Sequence, residues 1–258
     1  MKIVVLIKEV PDTWGERRLD LETGLADRTA STPVLDEIDE RAVEAALAHA
    51  DVHPGTEVVV LTMAPASATA TVRKALAMGA TSAVHVVDDT LRGADLLLTA
   101  DVLAAAIRRT GFDLVIAGNL STDGGGGVVP AMVAELLGVP QLTALSRLEI
   151  ADDTVSGDRV SDAGTLRVSA SLPAVVSVTE ALPEGRFTTF KGIMAAKKKP
   201  YETVDAADLG VEAEDPAQAR YIMLSVAERP PRQAGTKIVD EGDAGEKLAA
   251  FLVAEGVA

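Results

Sequence analysis

The chain has 258 residues, 48% of them apolar and 24% charged, the balance of a globular protein long enough to bury a core without disulfide or metal staples. Lys and Arg number 24 against 39 Asp and Glu, a formal net charge of −15, which disfavours non-specific association with nucleic acid or anionic membrane. There is no cysteine, which excludes disulfide frameworks, zinc-thiolate sites, iron–sulfur clusters and thiol nucleophiles, and aromatic residues at 3% are too few to line a self-sufficient flavin or haem pocket.

The first element is a continuous β-branched run at Ile3–Ile7, which reads as a buried strand. It is too short for a signal-peptide core and has no small-residue cleavage site after it. A helix follows over Asp36–Ala50, with apolar residues at Ile38, Ala42, Val43, Ala46 and Leu47. Next come a strand at Val58–Leu61, a helix at Ser67–Met78 stopped by Gly79, and a strand at Ala83–Val87. A helix at Ala94–Arg109 ends in a basic turn, a strand lies at Leu114–Ile116, and a helix at Val128–Leu137 carries Pro130 in its first turn. This alternation predicts an α/β fold, a parallel twisted sheet with helices on both faces.

The pattern then changes. Ser146–Ile150, Thr154–Val160 and Leu166–Leu172 are short, alternating and divided by Asp-Asp and Asp-Ala-Gly turns, which predicts a small antiparallel hairpin insertion. Ala174–Val178 is again a continuous apolar run and reads as the last strand of the main sheet. Glu180–Thr203 shows little periodicity and much Pro, Gly and Lys, the character of a long exposed loop. A Pro-rich linker at Glu228–Gly235 precedes a helix at Gly245–Glu255. The expected organisation is a nucleotide-binding α/β domain over 1–227 and a linker with a C-terminal helix arm over 228–258, packing on a partner. No apolar stretch reaches the roughly 18 residues needed to span a bilayer, so the expected setting is cytoplasmic, without membrane insertion.

The strongest local feature is Ala117-Gly118-Asn119-Leu120-Ser121-Thr122-Asp123-Gly124-Gly125-Gly126-Gly127, directly after a buried strand and before a helix. Consecutive glycines let backbone N–H groups converge at the positive end of a helix, and Ser121 and Thr122 add hydroxyl donors, so the loop suits a phosphate. The first strand is followed by Lys8-Glu9-Val10-Pro11-Asp12 rather than Gly-x-Gly-x-x-Gly, which disfavours NAD. No Gly-x-x-x-x-Gly-Lys-Ser/Thr is present, and Asp123 beside the glycines suits a nucleotide that is bound rather than hydrolysed. His49, His53 and His85 form no triad, and the pairs Asp36-Glu37, Asp39-Glu40 and Asp88-Asp89 read as helix-start or loop charges. A second stretch, Glu184–Pro200, places Phe190, Ile193 and Met194 beside Lys197–Lys199 in an otherwise acidic chain, which points to a protein-docking surface.

Leu172-Pro173-Ala174-Val175-Val176-Ser177-Val178, then Arg186-Phe187, then Ile193-Met194-Ala195-Ala196-Lys197-Lys198-Lys199-Pro200 form a recognisable signature, preceded by Arg159-Val160-Ser161-Asp162. With Lys2–Lys8, Ala42–Ala46, Arg73–Ala80 and Thr122–Pro130, these residues make the chain resemble the β (small) subunit of electron-transfer flavoproteins over about residues 1–250. The resemblance implies a sheet of the adenine nucleotide α-hydrolase-like kind and an obligate heterodimer with a larger α subunit. It further implies an AMP held structurally by this chain and an FAD held mainly by the partner. By position, the cofactor-binding residues implied are Leu6, Asp36, Glu37, Ile38, Asp39, Met63, Gly118, Asn119, Leu120, Ser121, Thr122, Asp123, Gly124, Gly125, Gly126, Gly127, Val128 and Val129. The recognition loop that docks acyl-CoA and related flavin dehydrogenases falls at Pro183–Lys199, with Arg186, Phe190, Ile193, Met194, Lys197, Lys198 and Lys199 as docking residues and Phe190 where the family often has an anchoring Leu. The implied role is an electron carrier rather than a self-contained catalyst, delivering electrons toward a quinone oxidoreductase. Two alternatives stand beside it: a bifurcating member with a second FAD in place of AMP, and a universal-stress-like ATP-binding homodimer.

Overall fold

In this computed structural model, residues 1–213, 221, 223–232, 234, 235 and 237–257 are described. Residues Met1–Met223 form one compact unit and Leu224–Ala258 another. In the first unit, β1 (Lys2–Leu6), β4 (Glu57–Met63), β5 (Ser82–Val86), β6 (Leu114–Gly118), β7 (Gln141–Ile150), β8 (Thr154–Ser161), β9 (Gly164–Ser171), β10 (Ala174–Val178) and β11 (Tyr201–Val204) make one nine-stranded sheet. Their order is β11-β5-β4-β1-β6-β10-β7-β8-β9, parallel from β11 through to the start of β7. A separate antiparallel pair, β2 (Glu9–Pro11) and β3 (Pro33–Leu35), brackets an excursion over residues 12–32.

The central strands are continuous apolar runs because both of their faces are covered. Ile3, Val5, Val58, Val60, Ile116 and Val176 pack under α1 (Glu37–Val52), α2 (Thr69–Met78) and Ala196 of α5 (Phe190–Ala196). Val4, Leu61, Val115 and Val175 point the other way, to α3 (Leu96–Thr110) and α4 (Val129–Leu137). Period-two alternation thus feeds two cores from the same strands. The chain runs outward from β1 to β4 and β5, then crosses to β6 and β10. The order therefore reverses between β1 and β6, where open α/β sheets receive ligands at the carboxyl ends of their strands.

The expected antiparallel hairpin is present, inserted before β10 as β8 and β9, and it extends the main sheet beyond β7. Gln141–Leu145 of β7 pairs in parallel with β10, and from Leu145 onward β7 pairs antiparallel with β8. The register shifts on both sides of Leu145, and Ala144 sits at φ 55. That bulge breaks the period-two signal, so the first half of β7 has no strand pattern in sequence. One expectation is corrected: Glu180–Thr203, expected as a long exposed loop, is partly regular. It holds α5, whose Thr189 N-cap accepts from the Gly192 N–H at 3.0 Å, and β11, an edge strand paired with β5. A seven-residue helix with a glycine at its third position and a four-residue edge strand are both too short for periodicity to reveal.

In the second unit α6 (Ala244–Ala254) has no buried residue, and Leu248, Phe251 and Val253 are exposed. The expected linker at Glu228–Gly235 includes Gln233, which lies outside the described residues. Among the described residues no helix is long and apolar enough to cross a membrane.

Candidate functional site

The site is assembled by the first turn of α1. Asp36 is its N-cap and has no exposed surface: Oδ1 accepts from the Ile38 N–H at 3.0 Å. Its other oxygen, Oδ2, accepts from the Thr122 N–H at 2.7 Å and the Thr122 hydroxyl at 2.8 Å, pinning the glycine loop to the helix. One turn on, buried Asp39 accepts from the Lys8 N–H at 2.8 Å, beyond the end of β1, and from the Gly118 N–H at 3.1 Å, the end of β6. Residue 118 must be glycine for this approach, since a Cβ there would stand 2.6 Å from Asp39 Oδ1. The two carboxylates therefore join the ends of the two strands at the switch point to the loop between β6 and α4. Ile38 lies buried between them, and Glu37 is exposed at the first position of the helix. Leu6 and half-buried Met63 stand at the carboxyl ends of β1 and β4, on the same edge of the sheet.

The loop itself carries its charge in an ordered way. Asp123 is only 9% exposed and lies between Lys8, whose Nζ is 2.7 Å from Oδ1, and Arg28, whose guanidinium is 3.3 Å from Oδ2. Burial pushes the Asp123 carboxyl up, but the hydrogen bond and charge of Lys8, with Ser121 and the Gly124 N–H, outweigh it and hold the group below the ordinary carboxylate value. Lys8 Nζ also reaches Ser121 Oγ at 3.2 Å, and Arg17 donates to the Thr122 carbonyl. Gly125 and Gly127 adopt left-handed φ of 61° and 66°, and a Cβ at Gly125 would meet nothing within 4 Å, so the loop is open on its outer side. Val128 at the N-cap of α4 supplies no side-chain cap, which leaves the first-turn N–H groups of that helix available to an anion. Leu120 and Val128 are partly exposed at the two shoulders of the loop. The Asn119 side-chain oxygen is buried and has no hydrogen-bond partner, an acceptor that a bound ligand must satisfy or the fold must tolerate at a cost of about 1–3 kcal/mol. Lys8 and Arg28 are not among the residues expected from sequence. Arg28 arrives from the 12–32 excursion, and nothing local in the sequence ties it to a loop ninety-five residues away.

The stretch expected to dock a partner divides into anchors and an exposed face. Arg186 is held by Glu44 at 2.7 and 2.9 Å and by Asp51 at 2.9 Å, and the Glu44 hydrogen bonds raise its pKa further, so this guanidinium fastens the segment to α1. Lys199 donates to the Leu76 and Ala80 carbonyls at 2.9 and 2.6 Å, and burial lowers its pKa. Arg73 donates to the Ala196 carbonyl at 2.6 Å. What remains outward is Phe190 at 80% exposure, Ile193, Met194, Lys197 and Lys198, with Phe187 beside them at 94%. His85 is a core residue, its ring nitrogens satisfied by Tyr201 Oη at 2.7 Å and the Ala64 carbonyl at 2.9 Å, while His49 and His53 stack on each other at the end of α1. A broad depression at the amino ends of the strands is neutralised by its own ion pairs, Lys2 with Glu57 and Arg109 with Glu202.

Burial, and then the neighbouring Asp36 carboxylate, push the Asp39 carboxyl well above its ordinary value against the pull of its two N–H donors. A carboxyl whose folded pKa exceeds its unfolded one costs stability as pH rises through the interval between them. Asp39→Asn removes that cost. The melting temperature of the variant is therefore expected to gain on the wild type as pH climbs from about 4 toward neutrality, and parallel stability–pH curves contradict the assignment.

Comparison with known proteins agrees with this geometry. The profile of the electron transfer flavoprotein domain matches residues 24–209. The electron transfer flavoprotein subunit beta of Mycobacterium tuberculosis (strain ATCC 25618 / H37Rv) is 48% identical over 262 residues, covering 99% of this chain and 98% of that protein. The Bacillus subtilis (strain 168) protein of the same name is 32% identical over 257 residues, with 99% and 98% covered. A caffeyl-CoA reductase-Etf complex subunit, CarD, of Acetobacterium woodii is 32% identical over 259 residues, with 99% and 97% covered. A parallel sheet with a glycine loop at its switch point, together with near full-length identity to these subunits, establishes that the chain belongs to the electron transfer flavoprotein β-subunit family.

Proposed function

We propose that this chain serves as the β subunit of a heterodimeric electron-transfer flavoprotein, binding AMP at the glycine loop, helping to enclose an FAD held mainly by the α subunit, and docking acyl-CoA and related flavin dehydrogenases. The observation that carries the AMP assignment is the buried, unpartnered Asn119 oxygen beside an uncapped helix start at the switch point of the sheet. An adenine amine or a ribose hydroxyl supplies the donor that oxygen lacks. The N–H groups from Gly126 to Val129 suit the phosphate, while Leu6, Ile38 and Met63 offer apolar surface on the same edge. Asp36, Asp39 and Thr122 position these groups through the hydrogen bonds already given, and Glu37 and Leu120 stand at the rim.

FAD, when bound by the heterodimer, supplies the electron storage that a cysteine-free chain lacks. The contribution of this chain to electron delivery is the α5 face. Phe190, Ile193 and Met194 form an apolar plug, Lys197 and Lys198 add steering charge, and Arg186 and Lys199 act from behind as anchors. The shared flavin would supply the redox chemistry between the dehydrogenase and a quinone oxidoreductase, and the α5 face of this chain would hold the dehydrogenase in place for it.

Expression with and without the α subunit, followed by denaturation and chromatography of released nucleotides, tests the cofactor assignment. AMP is expected with this chain, and FAD only when the partner is present. FAD in place of AMP on this chain favours the bifurcating alternative, and ATP in a stable homodimer favours the signalling one. For docking, Phe190→Ala is expected to slow reduction by an acyl-CoA dehydrogenase on the order of tenfold while flavin content stays intact; an unchanged rate contradicts the docking role.

A further inference from the structure

A phosphate-binding loop gains nothing from a carboxylate of its own, yet Asp123 sits at the head of the four glycines and is almost wholly buried there. Two cations come to it from outside the loop, Lys8 from beyond β1 at 2.7 Å and Arg28 from the 12–32 excursion at 3.3 Å. Arg28 is fixed in turn by the Glu9 carbonyl at 3.0 Å, and Ser121 Oγ accepts from Lys8 at 3.2 Å. Of the charged groups bonded to residues 121–123, Lys8, Arg17 and Arg28 stand against Asp36 and Asp123, so the cluster keeps a single net positive charge. A nucleoside monophosphate carries about −1.5 to −2 at neutral pH, and the start of α4 adds roughly half a positive charge. Cluster and helix together match one phosphate closely and leave each further phosphate facing a carboxylate that solvent screens poorly.

We propose that Asp123 is the specificity determinant of the nucleotide site, engaging Lys8 and Arg28 so that the loop accepts an adenine nucleotide with one phosphate and rejects those with two or three. The inference rests on the reading of this loop as an adenine nucleotide site. A mere staple holding the loop to β1 has a different signature, because removing a staple lowers occupancy by every nucleotide without changing which one is preferred.

The test uses the full heterodimer with the α subunit, purified and dialysed against equimolar AMP and ATP in EDTA, so that magnesium does not mask phosphate charge. Bound nucleotides are then released and quantified. The wild type is expected to hold AMP. Asp123→Asn frees one positive charge, and its preference for AMP over ATP is expected to fall on the order of tenfold, with Asp123→Glu restoring it. Arg28→Ala, which leaves the glycine loop intact in sequence, is expected to lose ATP more than AMP, and it serves as the second variant should Asp123→Asn fail to assemble. Unaltered selectivity in Asp123→Asn, or equal loss of both nucleotides in either variant, overturns the inference while leaving the AMP reading in place. Absence of any adenine nucleotide from the wild type overturns that reading and the inference with it.

Discussion

Two buried carboxylates on one turn of α1 hold the functional edge of this protein together. Asp36 and Asp39 between them accept from the backbone N–H groups of Lys8, Ile38, Gly118 and Thr122, four points on two elements and two connecting segments. Each of those N–H groups lies where regular pairing ends: beyond β1, at the start of α1, at the end of β6, and in the loop that follows. Left unpaired in the interior, each costs about 1–3 kcal/mol. The carboxylates satisfy them and so fix the loop relative to the crevice, and the helix dipole at the start of α1 favours the negative charge placed there.

The arrangement has an electrostatic consequence for a protein of net charge −15. An anion site can exist on it only where cations are gathered locally, and Lys8, Arg17 and Arg28 are gathered by carboxylate and carbonyl groups of the loop itself. On the proposed nucleotide reading, the same carboxylate that collects the cations would also limit how much phosphate charge they can serve. Along the segment that carries α5 the roles separate differently. Arg186 and Lys199 are consumed as anchors, and the exposed face of α5 combines three apolar side chains with Lys197 and Lys198.

Most of the parallel sheet is legible in the residues themselves, because strands covered on both faces must be continuous apolar runs and helices between them must carry a 3.6-residue stripe. Ala174–Val178 is identical in sequence reading and structure for this reason. Legibility fails where tertiary contacts replace local pattern. The first half of β7 is hidden by the bulge near Ala144, α5 and β11 are too short to show a period, and β2 and β3 contain proline. At the site, the glycine loop is evident from composition and position. The double use of Asp36 and Asp39 is not, since Asp-Glu-Ile-Asp at a helix start reads as ordinary capping charge. Arg28 carries no sequence signal at all, because its partner is brought to it only by the crossing from β5 to β6.

The loop after β6 is held by hydrogen bonds to the start of α1, and amide hydrogen exchange at Thr122 reads that restraint at a single site. In the intact protein the Thr122 amide, bonded to Asp36 Oδ2 at 2.7 Å, is expected to exchange as slowly as the amides of β6, and Asp36→Ala is expected to bring it to the rate of Gly126 and Gly127. Fast exchange at Thr122 in the wild type, or protection that survives Asp36→Ala, contradicts the account.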